Sequence, residues 1–564
     1  MKNNMRSSES TAGLENALAR SLYKSMGFSN DDLTTGRPMI GIANSWNNLV
    51  PGHYNLNQIS EFVKRGIYRA GGTAFEFGII AGCDGIAMGH TGMHYILPSR
   101  EVVCNAVEIS IEAHRLDGVV LLASCDKIVP GMLMAAARLD IPAIVVTGGT
   151  MYGGVVFDNR KTDATSVSEA LGMYKANRIT LDEFNALEDL VCPSCGSCSF
   201  FGTANTMGCL TEALGMSLPD GGLIPATHPD RFRLAEASGQ MICRLVRDGI
   251  NARQVINKKS LENAVRVCLG VGGSTNAVLH LAAIAYEAEV DIDILETFER
   301  MSKDTPNIVK VNPASKYNME DFWQAGGVPC VMERMQGLLH TDVMTCSGKS
   351  VQENIRNHKY KFPVNNEIIR TLDNAYSTTG GIAVLRGNLA PGTGISKPNA
   401  IDPSVQRFTG TAVAFDYEEA ANKAILEGRI KAGDVVVIRY EGPRGGPGMR
   451  EMYMSMKYLH GMGLDKATAV VTDGRFSGTN NGCFVGHVSP EAADGGPISI
   501  VENGDKITID VIQGILHLHV SQEEIERRLN NWRKPEKKFK KGYLELYSRL
   551  ASSANEGAII KRGE

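Results

Sequence analysis

The sequence predicts an α/β protein in two parts. The first is an N-terminal domain with a parallel β-sheet flanked by helices; the second is a smaller β-rich, barrel-like C-terminal domain with surrounding helices. Three observations carry this reading. Short β-like runs alternate with helix-like runs from about Pro38 to Pro225, a largely helical stretch covers about 227–345, and the pattern turns β-rich after about residue 375.

The clearest unit runs from Gly118 to Val146. GVVLLAS reads as a buried strand, CDKIVPG as a loop, MLMAAARL as a helix with Pro130 and Gly131 at its start, and IPAIVV as the next strand. Such a β-α-β unit implies a parallel sheet covered on both faces. Ligand crevices in such sheets lie beyond the carboxyl ends of the strands, where Cys125-Asp126-Lys127 fall. LENAVRVCLG and NAVLHLAAIAYEAEV are the clearest helical segments of the middle stretch. The polar, irregular stretch 346–375 contains Pro363 and marks a domain boundary, giving domains 1–365 and 366–564. After it, GGIAVLRGNLA, DVVVIRYEG and ATAVVTDG read as strand-to-loop segments, and KITIDV and ILHLHV alternate with period two after an Asn503-Gly504 turn.

Composition narrows the function classes. The 564 residues carry 58 Lys+Arg against 62 Asp+Glu, with no basic stripe, which argues against a nucleic-acid partner. The short basic cluster from Arg533 to Lys541 reads as a solvated helix face or linker. No apolar run is long enough to span a bilayer, and the polar start MKNNMRSSESTAGLENALARS has no signal-like apolar segment. Twelve cysteines in that context read as reduced thiols of a cytoplasmic protein.

Five segments carry chemistry. In C192-P-S-C-G-S-C198 three cysteines at spacings of three suit a soft metal or an iron–sulfur cluster, and no second CxxC completes a structural zinc site. In S124-C125-D126-K127, taken as extended, the thiol and the carboxylate point to opposite sides and serve a soft and a hard metal; Lys127 then reads as neutralising Asp126. C83-D84-G85 offers Asp84 as an oxygen ligand, while His90 and His94 read as hydrogen-bonded structural residues. The glycine-rich loop R439-Y-E-G-P-R-G-G-P-G-M-R-E451 lets backbone N–H groups approach an anionic substrate and puts Glu451 in the first turn of a helix. In T472-D-G-R-F-S-G478, Arg475 suits a substrate carboxylate and Ser477 alone reads as a turn residue.

Together these segments resemble the family of dihydroxy-acid and sugar-acid dehydratases, closest to the dihydroxy-acid branch. The motifs NSWNNLVPGH, CDGIAMGHTGMHYILPSRE, SCDKIVPGMLMAAARL, CPSCGSCSFFGTANTMGCLTEALGMSLP, GGSTNAVLHL, VIRYEGPRGGPGMREM, TDGRFSG and VGHVSPEA occur in family order from about residue 35 to about residue 550. The resemblance implies Mg²⁺ held by Asp84, Asp126, Glu451 and a carboxylated Lys127, whose carbamate makes that lysine an anion. It implies an iron–sulfur cluster on Cys125 and Cys198, Ser477 as general base, and a homodimer or homotetramer. Many members carry a cysteine after the proline of the first loop; here Pro51 is followed by Gly52 and His53. The third cluster ligand then falls to Cys83, Cys192 or Cys195, with Cys83 favoured because it precedes Asp84 as Cys125 precedes Asp126. The cluster is 2Fe–2S or 4Fe–4S.

The implied substrate is a small polyhydroxy acid, a 2,3-dihydroxy carboxylate that loses water to become a 2-oxo acid. Branched-chain dihydroxy acids of valine and isoleucine synthesis are the first reading; sugar acids are the alternative. A non-catalytic iron–sulfur sensor is the rival from another class, opposed by the intact Asp84, Asp126, Lys127, Glu451 and Ser477 set. A zinc hydrolase lacks any H-E-x-x-H segment. If Ser477 is not the base, His53 or His90 is next.

Overall fold

The computed structural model describes residues 5–34, 36–157, 159–175, 177–476 and 482–562. Its first half is built on a four-stranded parallel sheet of β1 (Met39–Asn44), β2 (Thr73–Gly78), β3 (Gly118–Ala123) and β4 (Ala143–Thr147), in the order β2-β1-β3-β4. The crossovers are α1 (Leu56–Arg69), α2 (Ser99–His114) and α3 (Ile128–Leu139). β1, β3 and β4 are buried along their whole length because both faces are covered, whereas the edge strand β2 alternates half-buried and exposed toward its end. Val120, Leu122, Ile144 and Val146 pack with Ile59 and Val63 of α1 and Ile242 of the later helix α5 (Pro229–Asp248). Val119, Leu121 and Val145 point the other way, into the core containing Val103 and Val107 of α2 and Met132 and Leu133 of α3. The expected strand–helix alternation therefore ends at Thr147, short of Pro225. From there the chain continues mainly in helices, among them α4 (Thr203–Ala213), α5, α6 (Lys258–Val271) and α7 (Asn276–Glu287).

The second half is a closed eight-stranded barrel. Its strands are β5 (Ala383–Gly387), β6 (Ala390–Ser396), β7 (Arg407–Asp416), β8 (Asp434–Arg439), β9 (Ala469–Thr472), β10 (Cys483–Ser489), β11 (Lys506–Asp510) and β12 (Ile515–Leu518). Around the barrel they run β8-β9-β10-β6-β5-β12-β11-β7, with helix α8 (Tyr453–Gly461) outside. The period-two segments are the antiparallel pair β11–β12, whose Ile507, Ile509, Leu516 and Leu518 enter the barrel core. Closure removes the exposed edges that an open sheet leaves.

The two halves meet through specific bonds. Thr275 Oγ1 donates to the Phe476 carbonyl at 2.6 Å, and His94 Nδ1 donates to the Pro447 carbonyl at 2.8 Å. Among the described residues no helix is long and apolar enough to cross a membrane.

Candidate active site

Loops at the carboxyl ends of β2 and β3 meet loops at the carboxyl ends of β8 and β9. There Asp84, Asp126 and Glu451 place one carboxylate oxygen each within 4.8 Å of one another. Lys127 Nζ lies 3.0 Å from Asp84 Oδ2 and 3.3 Å from Asp126 Oδ2. Arg475 donates from Nη2 to Asp84 Oδ2 at 2.9 Å and from Nη1 to Glu451 Oε2 at 2.6 Å. Three carboxyl groups face two cationic side chains, almost out of reach of water: Lys127 is 1% and Arg475 0% exposed. Burial raises Glu451 to about 7, against the pull of Arg475, and Asp84 raises it further. Burial, then Asp84, also raises Asp126. Burial would raise Asp84 too, but Lys127 and Arg475 outweigh it and hold its carboxyl low. Asp84 Oδ1 is buried without a hydrogen-bond partner among the described residues. An excess of buried hard oxygens, one of them orphaned, fits a divalent cation.

The thiols gather on the other side of the same loops. Burial pushes the Cys125 and Cys198 thiols well above the usual range. Cys83 and Asp126 raise both further; Cys198 also raises Cys125, and Cys192 also raises Cys198. Burial raises Cys83 as well, while backbone N–H groups of Ile86 and Gly85 directed at its sulfur oppose this. Thiols that repel one another's ionisation fit a bound cationic centre, which reverses the sign of that interaction. Gly196 N donates to Pro51 O at 3.0 Å, joining the cysteine-rich segment to the first loop. A side chain at Gly52 would begin 2.7 Å from Cys125 Sγ, so the position where many members carry a cysteine adjoins this group. Cys192 is exposed and Cys195 half-buried.

The local geometry departs from the sequence reading in four places. Cys125 is not extended: its φ of 62° is left-handed, a conformation that costs a residue with a Cβ about 1–2 kcal/mol. This turn, rather than strand alternation, separates its thiol from the Asp126 carboxylate. Glu451 precedes α8 instead of lying in its first turn, because it forms a parallel bridge with Arg475, closed by Met452 N donating to Arg475 O at 2.9 Å. The glycine-rich loop does present N–H groups to a carboxylate, but to the protein's own Glu491: Arg444 N and Gly445 N donate to it at 2.9 and 2.8 Å. Arg475, expected on a substrate carboxylate, is committed to Asp84, Glu451 and the Met449 carbonyl.

Ser477 lies outside the described residues. The chain leading to it is anchored: Asp473 accepts from Tyr440 N, Glu441 N and Ala492 N at 2.9–3.1 Å, and Thr275 holds the Phe476 carbonyl. The fallback bases are otherwise engaged. His53 is buried with its ring nitrogens 2.9 Å from the Ser45 and Ser124 carbonyls, and His90 bonds to the Ile86 carbonyl at 2.8 Å. Sequence reasoning missed His487 and His280. Both are buried; neither ring nitrogen of His487, and not Nε2 of His280, has a partner among the described residues. Burial and the neighbouring Arg475 keep His487 neutral, at about 3. The signal was available in FVGHV and AVLHL, where each histidine stands alone among apolar residues and glycine.

Residues 37–354 match the family model for the dihydroxy-acid/6-phosphogluconate dehydratase N-terminal domain, and residues 367–558 match its C-terminal counterpart. Among curated relatives, a dihydroxy-acid dehydratase of Caldanaerobacter subterraneus subsp. tengcongensis is 51% identical over 561 residues, covering 99% of this chain and all of the relative. Those of Acetivibrio thermocellus and Pyrococcus furiosus are each 50% identical over 559 residues, with the same coverage. Matches to both halves in order, at half identity along nearly the whole length, mean that the chain belongs to the dihydroxy-acid/6-phosphogluconate dehydratase family.

Proposed function

We propose that this protein is a dihydroxy-acid dehydratase, a hydro-lyase that converts 2,3-dihydroxy carboxylates into 2-oxo acids, acting on the branched-chain substrates of valine and isoleucine synthesis. The observation that carries the chemistry is the abutment of two donor sets, buried carboxylates on Asp84, Asp126 and Glu451 beside thiols on Cys83, Cys125 and Cys198. The relatives are named dihydroxy-acid dehydratases, which supports a dihydroxy acid over a sugar acid as substrate.

In this reading the three carboxylates and a carboxylated Lys127 hold Mg²⁺, and Cys125, Cys198 and Cys83 hold the iron–sulfur cluster. When bound, the two groups supply Lewis acidity at the carboxylate end of the substrate and at its departing hydroxyl. The protein's own residues do the rest. Arg475 fixes Asp84 and Glu451 relative to each other. Thr275 and Asp473 set the path of the chain into Ser477. Ser477, as an alkoxide, takes the C2 proton and becomes the hydroxyl; the C3 hydroxyl takes that proton back from Ser477 as its C–O bond breaks and leaves as water, and the enol rearranges to the 2-oxo acid. A free serine is too weak for this, so its hydroxyl must sit beside a cation. The division into domains 1–365 and 366–564, a cytoplasmic location and a homodimeric or homotetrameric state belong to the same reading. The substrate test is a panel: anaerobically purified enzyme with 2,3-dihydroxy-3-methylbutanoate, pentonates and hexonates, with 2-oxo acid measured. Preference for the branched acid is expected; preference for an aldonate would replace it as substrate.

A further inference from the structure

A cleft of about 380 Å³ opens where the helical region meets the barrel, and it shares no residue with the carboxylate and thiol site. Lys397 and Lys310 line it, and none of its lining residues is acidic. Lys397 directly follows β6 and is 7% exposed. Its ammonium has no hydrogen bond or ion pair among the described residues. Its one charged-capable neighbour, the Cys268 thiol, is pushed by burial up to about 12 and stays protonated, so it supplies no counter-charge. The carboxyl end of α6, at Val271, also borders the cleft, and its partial negative charge offsets only part of an ammonium. An unpaired buried cation is costly and marks a site for an anion. Burial lowers Lys397 to about 8, a shift that a bound anion would oppose. The walls decide which anion. Phe201, Val271, Val309, Val311 and Ile401 supply apolar wall; of the other polar side chains on the lining, Asn307, Tyr376 and Gln406 already donate to carbonyls of the chain, which leaves Asn399 and Ser377 beside the lysines. The volume falls in the range of small-molecule sites.

We propose that this cleft binds a small aliphatic carboxylate, its charge on Lys397 and its tail against the apolar wall. The test is calorimetric titration of the holoenzyme with isobutyrate, with the neutral isobutyramide and with inorganic phosphate, in wild type, Lys397→Met and Lys310→Met. Expected are saturable binding of isobutyrate, none of isobutyramide, weaker binding of phosphate, and an affinity for isobutyrate at least about tenfold lower in Lys397→Met, as for the loss of a charge-assisted bond. Lys310→Met, at the exposed rim, is expected to weaken it less. In the wild type, isobutyrate should also slow acetylation of Lys397 measured by peptide mass, a readout that stands even if Lys397→Met does not fold. Unchanged affinity in a folded Lys397→Met, tighter binding of phosphate, or acetylation unaffected by saturating isobutyrate would each overturn the proposal.

Discussion

At the scale of single residues, the donor sets make separable predictions. Cys125→Ser or Cys198→Ser is expected to lose most bound iron and the activity while the fold survives, and Cys83→Ser to lose iron with them; iron and sulfide analysis checks each. Full iron content in the Cys125 and Cys198 variants would sink the cluster assignment, and in Cys83→Ser it would return the third position to Cys192 or Cys195. Ser477→Ala should keep the metals and lose about 10²–10⁴-fold in turnover, the usual contribution of a positioned base. Single-turnover kinetics with C2-deuterated substrate locate the lost step. A variant that keeps more than about a tenth of the rate excludes Ser477 as base. His94 gives a pH prediction. Burial, with Lys538 nearby, lowers its folded value from 6.5 to about 3, while Nδ1 stays bonded to Pro447 O. Between those values the unfolded chain binds the extra proton, so the contribution is complete above about pH 6.5 and is lost as pH falls toward 3. At most it amounts to about 5 kcal/mol. His94→Gln should flatten the dependence of urea stability on pH between 6.5 and 4; an unchanged slope contradicts the assignment.

At the scale of elements, the crossing of α1 and α5 depends on two glycines. A methyl at Gly66 would collide with the Glu236 carbonyl oxygen, and one at Gly239 with the Val63 carbonyl oxygen. Gly239→Ala gains about 1 kcal/mol of helix propensity but forces the helices apart, an overpacking that costs about 1–3 kcal/mol or more. A net loss in urea midpoint is expected, and a net gain would show that the crossing is looser than described. Elements were legible where the sequence signal is local. β3, α3 and β4 followed from apolar runs of the right length around Pro130, and β11 and β12 from strict alternation. Glu451 was misplaced because its bridge to Arg475 spans 24 residues, which no local pattern reports. The left-handed turn at Cys125 was hidden because nothing in its neighbours demands a positive φ at a cysteine.

At the scale of the whole molecule, the fold class was legible, and so were the segments that the fold brings together around Asp84, Asp126 and Glu451. Their mutual pairing was not. Lys127 was assigned to Asp126 as its sequence neighbour, yet it lies closer to Asp84, 43 residues away, because the crossover through α2 brings the ends of β2 and β3 to the same edge of the sheet. Arg475 was legible as a carboxylate binder, but only the folded chain supplies the carboxylates that take it. A homodimer or homotetramer is expected in light scattering at micromolar concentration, and an active monomer would contradict it. The central claim is that the buried carboxylate cluster and its thiol neighbours dehydrate a 2,3-dihydroxy acid. It is tested most directly by measuring 2-oxo acid formed from 2,3-dihydroxy-3-methylbutanoate by anaerobic, iron-loaded enzyme supplied with Mg²⁺, alongside a folded Glu451→Gln variant. The account predicts stoichiometric 2-oxo acid from the wild type and almost none from the variant; no product from the loaded wild type, or equal product from both, contradicts it.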